Sequence, residues 1–333
     1  ELVLHNGKDP VTGKQIGLKT GDPIGFVSLD QLISATKKQA KYFLDMLMLG
    51  YNIVLGYHIN YTPNVFASIV IDDCIDKGVS VQAGGARHSY SGISIAGAAN
   101  VADSLMSIDC LVFKEKKITM ENLIKALDAD FEGTEDLRQM LINVPPKFGN
   151  DIDAVDFLAE DIVNHLCKYV QSPDHKDARG GQYAMSNLSQ TLNITQGDTT
   201  AASADGRKAF TPLADNASPH MGRDISGPTA VVNSVAKLDQ IYCWNGSLFN
   251  LRFDPASVQG EKGLDIIECV IKNFFDRFGF HIQINVVDNE TLRAAQKDPE
   301  NYRGIVVRVA GYLAFFTELD KKAQDLIIAR TTH

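Results

Sequence analysis

Several things are missing from this sequence, and each absence removes a class of function. The five cysteines, Cys74, Cys110, Cys167, Cys243 and Cys269, form no Cys-x-x-Cys pair. An odd, dispersed set implies reduced thiols in a cytoplasmic protein rather than a disulfide framework. No apolar run approaches the roughly 20 residues that span a bilayer, so no membrane association is expected. There is no Gly-x-Ser-x-Gly, no phosphate loop and no His-Glu-x-x-His. "GGARHSYSG" is glycine-rich but lacks the spacing of a dinucleotide-binding turn. The eight histidines are scattered, none at metal-ligand spacing with a second His or Cys, so no metal site is expected. A net charge of −9 argues against a nucleic-acid or anionic-membrane partner. No signal peptide is visible, and the first residue is Glu1, not Met. That start leads us to expect a fragment, or one subunit of a protein whose first half lies elsewhere.

What is present is a globular chain of 333 residues, 44% hydrophobic and 22% charged. Helical spacing covers residues 28–49 behind a serine, and a second helix is expected from about Thr62 to Lys77 with Pro63 in its first turn. Further helices fit "ANVADSLMSIDCLVFKEKK", "TMENLIKALDADF" and "DIDAVDFLAEDIVNHLCKYVQ", the last with Ile152, Val155, Leu158, Ile162 and Leu166 on one face. A long stretch rich in turn residues follows, from Asp177 to Thr229, of the kind that is functional or marks a boundary. After it, helices alternate with the strands "SLFNLRF", "HIQINVV" and "GIVVRVAGYLAFF", ending in the helix "KKAQDLIIAR". This alternation indicates an α/β architecture.

Two glycine-centred features stand out. Asp205-Gly206-Arg207 has a turn signal, and by itself it favours a structural role. Gly311 interrupts a buried-looking strand, where a bulge or tight turn is the plain reading. Asp72-Asp73, as neighbours on a helix, point different ways and suggest a solvated face.

"VVRVAGYLAFF" resembles the radical-bearing signature of the glycyl radical enzymes, the pyruvate formate-lyase superfamily. "GGARHSYSG", "ASADGRKAFTPLADNASP", "GPTAVVNSVAKLD", "SLFNLRFDPASVQGEKGL", "HIQINVVDNETLRAAQKDPENYRGIVVRVAGY" and "LDKKAQDLIIART" occur in the family's order, so the likeness covers essentially the whole chain. It is similar to the glycerol- and choline-lyase-like branch. The resemblance implies the second half of a ten-stranded α/β barrel, with the glycyl loop inserted in the barrel centre. It also implies a division into residues 1–198, the C-terminal part of the barrel domain, and 199–333, the glycine radical domain.

Gly311 is then the residue that stores the radical, with Arg308, Val309, Ala310 and Tyr312 forming its loop. A radical at Cα must become planar between an amide nitrogen and a carbonyl, which only a residue without a side chain does freely. Val306, Val309, Leu313 and Phe315 would shield it from oxygen and water. No bound cofactor is implied: an iron–sulfur S-adenosylmethionine activase installs the radical under anaerobic conditions. In the family the stored radical takes hydrogen from a cysteine, and a glutamate two residues beyond that cysteine handles protons. None of the five cysteines here is followed by such a glutamate, and Cys167, Cys243 and Cys269 are expected as structural thiols. Hence this chain alone should be inactive, and the partner expected is an N-terminal half with the Cys-x-Glu loop, in the same or a separate chain. The complete enzyme is expected to be a homodimer.

The reaction implied is that of a lyase: a dehydratase, or a carbon–heteroatom or carbon–carbon lyase, on a small organic substrate. An arylacetate-type decarboxylase, a fumarate-adding enzyme, or a non-catalytic repair or accessory subunit are the alternatives. For the substrate pocket we single out Tyr183, Met185, Leu192 and Ile194, whose alternation fits one inward face of a strand. Ordinary core is an equal reading of these four side chains. Arg87 and His88 are further pocket candidates, with loop support as the plainer role.

Overall fold

The computed structural model describes all residues, 1–333. Helix α1 (Leu29–Tyr61) starts on Ser28, whose side chain accepts from the Gln31 amide, and runs past the expected end at 49. Nothing between 50 and 61 stops it; it ends at Thr62, because the residue before Pro63 is pushed out of the α region. The helix expected over 62–77 is broken into α2 (Val65–Val70), capped by Asn64, and α3 (Cys74–Lys77). Asp73 lies between them with φ +72°, so Asp72-Asp73 is a turn and not a helix face.

Strand β1 (Tyr90–Ser94) leads to α4 (Ala98–Ile108), prolonged by a π-helical turn over Asp109–Lys114. Helix α5 (Met120–Asp128) is capped by Thr119, and α6 (Glu135–Asn143) forms in a stretch for which no element is expected from the spacing. Helix α7 (Asp153–Val170) buries Val155, Leu158 and Ile162 as expected. The turn-rich stretch holds β2 (Gln182–Ser186) and α8 (Leu192–Gly197). Next come α9 (Pro228–Ala236), β3 (Phe249–Phe253), α10 (Gly260–Asp276), β4 (Ile282–Val286) and α11 (Asn289–Lys297). The hairpin strands β5 (Val306–Arg308) and β6 (Leu313–Phe315) precede α12 (Lys321–Ala329).

Strands β1 and β2 pair in parallel, as do β3 and β4, and a parallel bridge between Asn187 and Ser247 links the two pairs. Parallel pairs need helical crossovers, which cover one side of the strands. Alternation assigns the faces. Ile93, Tyr183 and Met185 pack with Val163, Cys167 and Val170, while Phe249, Leu251 and Phe253 join the large core that includes Val155, Leu158 and Ile162. The first set therefore faces α7, and in the second the Phe249 ring meets Phe274 of the helix over Gly260–Asp276 at 5.6 Å. The opposite face presents Gly92, Ser94, Ala184 and Ser186, then Asn250, Arg252, Gln283 and Asn285. That polar face receives the β5–β6 hairpin.

The candidate radical site

Arg308 and Leu313 are the last paired residues of the hairpin, and Val309 donates its N–H to the Tyr312 carbonyl at 3.0 Å. Ala310 and Gly311 are thus the centre of a tight turn, and only Gly311 needs positive φ, +87°. Turns that place φ > 0 at the third residue select glycine there. An added Cβ would lie 3.4 Å from Leu248 Cδ1, an ordinary contact, so backbone conformation rather than crowding fixes the residue type. Gly311 is a turn, not a bulge.

Side chains from the polar face grip the turn as though they were a strand. Asn285 takes both backbone groups of Arg308, accepting from its N–H at 2.8 Å and donating to its carbonyl at 3.1 Å. Asn250 donates to the Val309 carbonyl at 3.2 Å, and the Gly311 N–H donates to Gln283 Oε1 at 3.2 Å. From the C-terminal end of α12, Arg330 donates to the carbonyls of Val309 (2.9 Å) and Arg308 (3.2 Å). Arg330 also forms a buried ion pair with Asp215 at 2.7 Å, and Asn250 donates to the same carboxylate oxygen at 2.8 Å. Sequence reasoning missed Gln283, Asn285, Asn250, Asp215 and Arg330. The available signal was a polar residue at every second position of two apolar strands, "FNLRF" and "IQINV".

Behind Arg330 lies a second arginine. Arg252, on β3, is buried and donates to the Ile327 carbonyl at 2.8 Å, and also to the Arg330 carbonyl and the Thr332 hydroxyl. It satisfies carbonyls that the end of α12 leaves without helical partners. Burial, with the neighbouring charge of Arg330, pushes Arg252 down to about 10, so it remains charged at neutral pH. Burial also holds His281 below its usual range, helped by the charge of Arg308.

The expected apolar shield is supplied only in part. Val307, Val309 and Ala310 pack against Leu292, Ala295 and Ile327 of α11 and α12. Val306, Leu313 and Phe315 are 49%, 57% and 45% exposed, and Gly311 and Tyr312 are exposed too. In a two-stranded hairpin alternate residues face opposite ways, so one face meets the helices and the other stays open.

The expected pocket residues do not assemble around Gly311. Tyr183 and Met185 point to the helix side; the Tyr183 hydroxyl bonds Asn52 Oδ1 at 2.8 Å and the Met48 carbonyl at 3.1 Å. The strand ends at Ser186, so Leu192 and Ile194 sit on α8, not on a strand: Leu192 is exposed and Ile194 packs on Ala323 and Leu326. Arg87 is exposed and pairs with Asp73 at 2.7 Å, tying the glycine-rich loop to the start of α3; His88 is exposed. At the Asp205 turn, Gly206 has φ +87°, Asn100 and Ser203 each donate to the Asp205 carboxylate at 2.6 Å, and Arg207 donates to the Thr211 carbonyl at 2.9 Å. This turn is structural. Cys167 and Cys243 are core thiols with sulfurs 4.0 Å apart, and the contact with Cys243, together with burial, pushes the Cys167 thiol up; Cys269 is exposed on α10. No group of three or more His, Cys, Asp or Glu is arranged to hold a metal ion, and no helix is long and apolar enough to cross a membrane.

Comparison with known proteins agrees with this geometry. Residues 1–197 match the pyruvate formate lyase-like family model, and residues 213–317 match the glycine radical model. Over 331 residues the chain is 42% identical to trans-4-hydroxy-L-proline dehydratase of Clostridioides difficile, covering 99% of this chain and 42% of that protein. It is 35% identical to (2S)-3-sulfopropanediol dehydratase of Klebsiella oxytoca, over 99% of this chain and 40% of the relative. The glycerol-bound B12-independent glycerol dehydratase from Clostridium butyricum superposes with a TM-score of 0.95 at 43% identity, over all of this chain and 42% of that one. The chain therefore spans about two fifths of the length of these relatives. The ordered family matches and the superposition of the whole chain, hairpin included, lead to one conclusion: the chain belongs to the pyruvate formate lyase-like glycyl radical enzymes.

Proposed function

We propose that this chain is the radical-bearing portion of a glycyl radical lyase acting on a small organic substrate, and that Gly311 stores the radical. The observation that carries the reading is the Gly311 turn itself: a glycine at φ +87°, held by side-chain amides on the polar face of the strands. An S-adenosylmethionine activase would transfer the hydrogen atom of the Gly311 Cα–H bond to a carbon radical derived from S-adenosylmethionine, forming a new C–H bond there and leaving an unpaired electron shared with the flanking amide and carbonyl. The stored radical takes a hydrogen atom from a cysteine S–H outside this chain, giving a thiyl radical and restoring the Cα–H. The thiyl then takes hydrogen from substrate and returns it to product. Lacking that cysteine and its glutamate, the chain by itself is inactive, and an N-terminal half completes both the barrel and the cover over the open hairpin face. The complete enzyme works as a homodimer in an anaerobic cytoplasm. Dehydratases and a sulfite-lyase among relatives at 34–42% identity favour dehydration or carbon–heteroatom cleavage over decarboxylation, for which the indoleacetate enzyme at 31% is the relative.

The test is anaerobic activation of the complete enzyme followed by electron paramagnetic resonance. A glycine-centred doublet is expected, collapsing when glycine deuterated at Cα is incorporated. Air should cleave the chain at Gly311. Gly311→Ala should abolish signal and turnover at a cost of only about 1–2 kcal/mol of backbone strain. A doublet that survives Gly311→Ala, or no doublet in the activated parent, overturns the reading.

A further inference from the structure

Several polar backbone groups of the turn have holders, and the holders differ. The Val309 N–H is satisfied within the hairpin. The Arg308 and Val309 carbonyls each have two side-chain donors, one of them Arg330. The Gly311 N–H has a single acceptor, Gln283 Oε1, on a side chain only 5% exposed. Gln283 stands opposite Asn250 in the β3–β4 register, with its backbone committed to the strand pair. Of the side chains that grip the turn, Gln283 is the one that bonds Gly311 itself.

We propose that Gln283 is a positioning residue of the radical site, holding the Gly311 amide plane and stabilising the radical through its side-chain carbonyl. The proposal rests on Gly311 being the storage residue. An electron vacancy at Cα draws density from the adjacent nitrogen, which makes the N–H more acidic. A hydrogen bond from that N–H to a carbonyl oxygen is therefore stronger with the radical present than without it. Only such a difference between states shifts an equilibrium. Gln283 consequently favours the stored radical over the thiyl, and keeps nitrogen, Cα and carbonyl close to one plane.

Removing a hydrogen bond of ordinary strength should move the equilibrium by about fivefold. The experiment uses the complete enzyme with Gln283→Met, which removes the acceptor, and Gln283→Glu, which keeps one. Before activation, amide hydrogen exchange at Gly311 should be about fivefold faster in Gln283→Met and parent-like in Gln283→Glu. After activation, Gln283→Met should hold fewer spins, with an altered nitrogen hyperfine coupling, and Gln283→Glu should restore both. The parent needs no variant: glutamine carrying 13C at its side-chain carbonyl should give a 13C coupling to the radical. A parent that lacks the doublet overturns the storage reading and this proposal with it. A parent with the doublet but no 13C coupling, or a folded Gln283→Met with parent-like exchange and hyperfine values, overturns this proposal alone.

Discussion

Breaking the Arg330–Asp215 pair should loosen the Gly311 turn more than any single hydrogen bond to it. Both side chains are buried, 9% and 3% exposed, and meet at 2.7 Å. With Arg330→Met, the Val309 carbonyl keeps Asn250 and the Arg308 carbonyl keeps Asn285, so neither is orphaned. Asp215 is left with Asn250 at 2.8 Å and Asn216 at 3.5 Å, and no cation. Removing one partner of a buried pair costs about 3–5 kcal/mol, chiefly the uncompensated charge. Arg252 shifts the expectation to the lower end, because losing Arg330 also relieves a repulsion it suffers. Asp215→Asn strands the guanidinium instead and should cost about 3 kcal/mol. The double variant removes both charges, so its cost should fall short of the sum by about 2 kcal/mol. Urea unfolding of the complete enzyme gives the three values, and hydrogen exchange over residues 304–317 reports the turn. If the two single costs add to within about 0.5 kcal/mol, the pair is not a unit and the reasoning fails.

Tyr183→Phe should lower stability by about 1 kcal/mol through its bonds to Asn52 and Met48, and leave KM unchanged because the ring faces the helices. A rise in KM would put the ring back in the pocket. His220 is buried with Nδ1 unpartnered, and burial pushes it down to about 4. Its neutral form is favoured by folding, so its contribution is complete above about 6.5 and is lost as pH falls toward 4, to a ceiling of about 3 kcal/mol. Asp103, pushed up to about 7 by burial, slopes the other way over the same window. The signature is therefore the difference between parent and His220→Gln, which should narrow from pH 7 to pH 4.5 in urea titrations. A constant difference refutes the buried neutral histidine.

Most of the elements were legible in the sequence, and so was Gly311 as the residue we propose to store the radical. Apolar spacing marks α7 and α10, Ser28 and Thr119 mark helix starts, and the ordered motifs around Gly311 mark the turn we propose holds the radical. Those signals are local, or stretches of chain long enough to be matched as units. The faces of the strands were not local. Tyr183 and Met185 alternate as an inward strand would, yet alternation does not say which side holds the helices; α7 packing on Ile93, Tyr183 and Met185 decided it. The same geometry turned Asn250, Gln283 and Asn285 toward the hairpin, and residues 59, 28 and 23 positions away along the chain became the partners of Val309, Gly311 and Arg308. The break at Asp73 and the open outer face of the hairpin were decided the same way. A backbone group finds its partner by proximity in space, and only the folded chain sets that proximity.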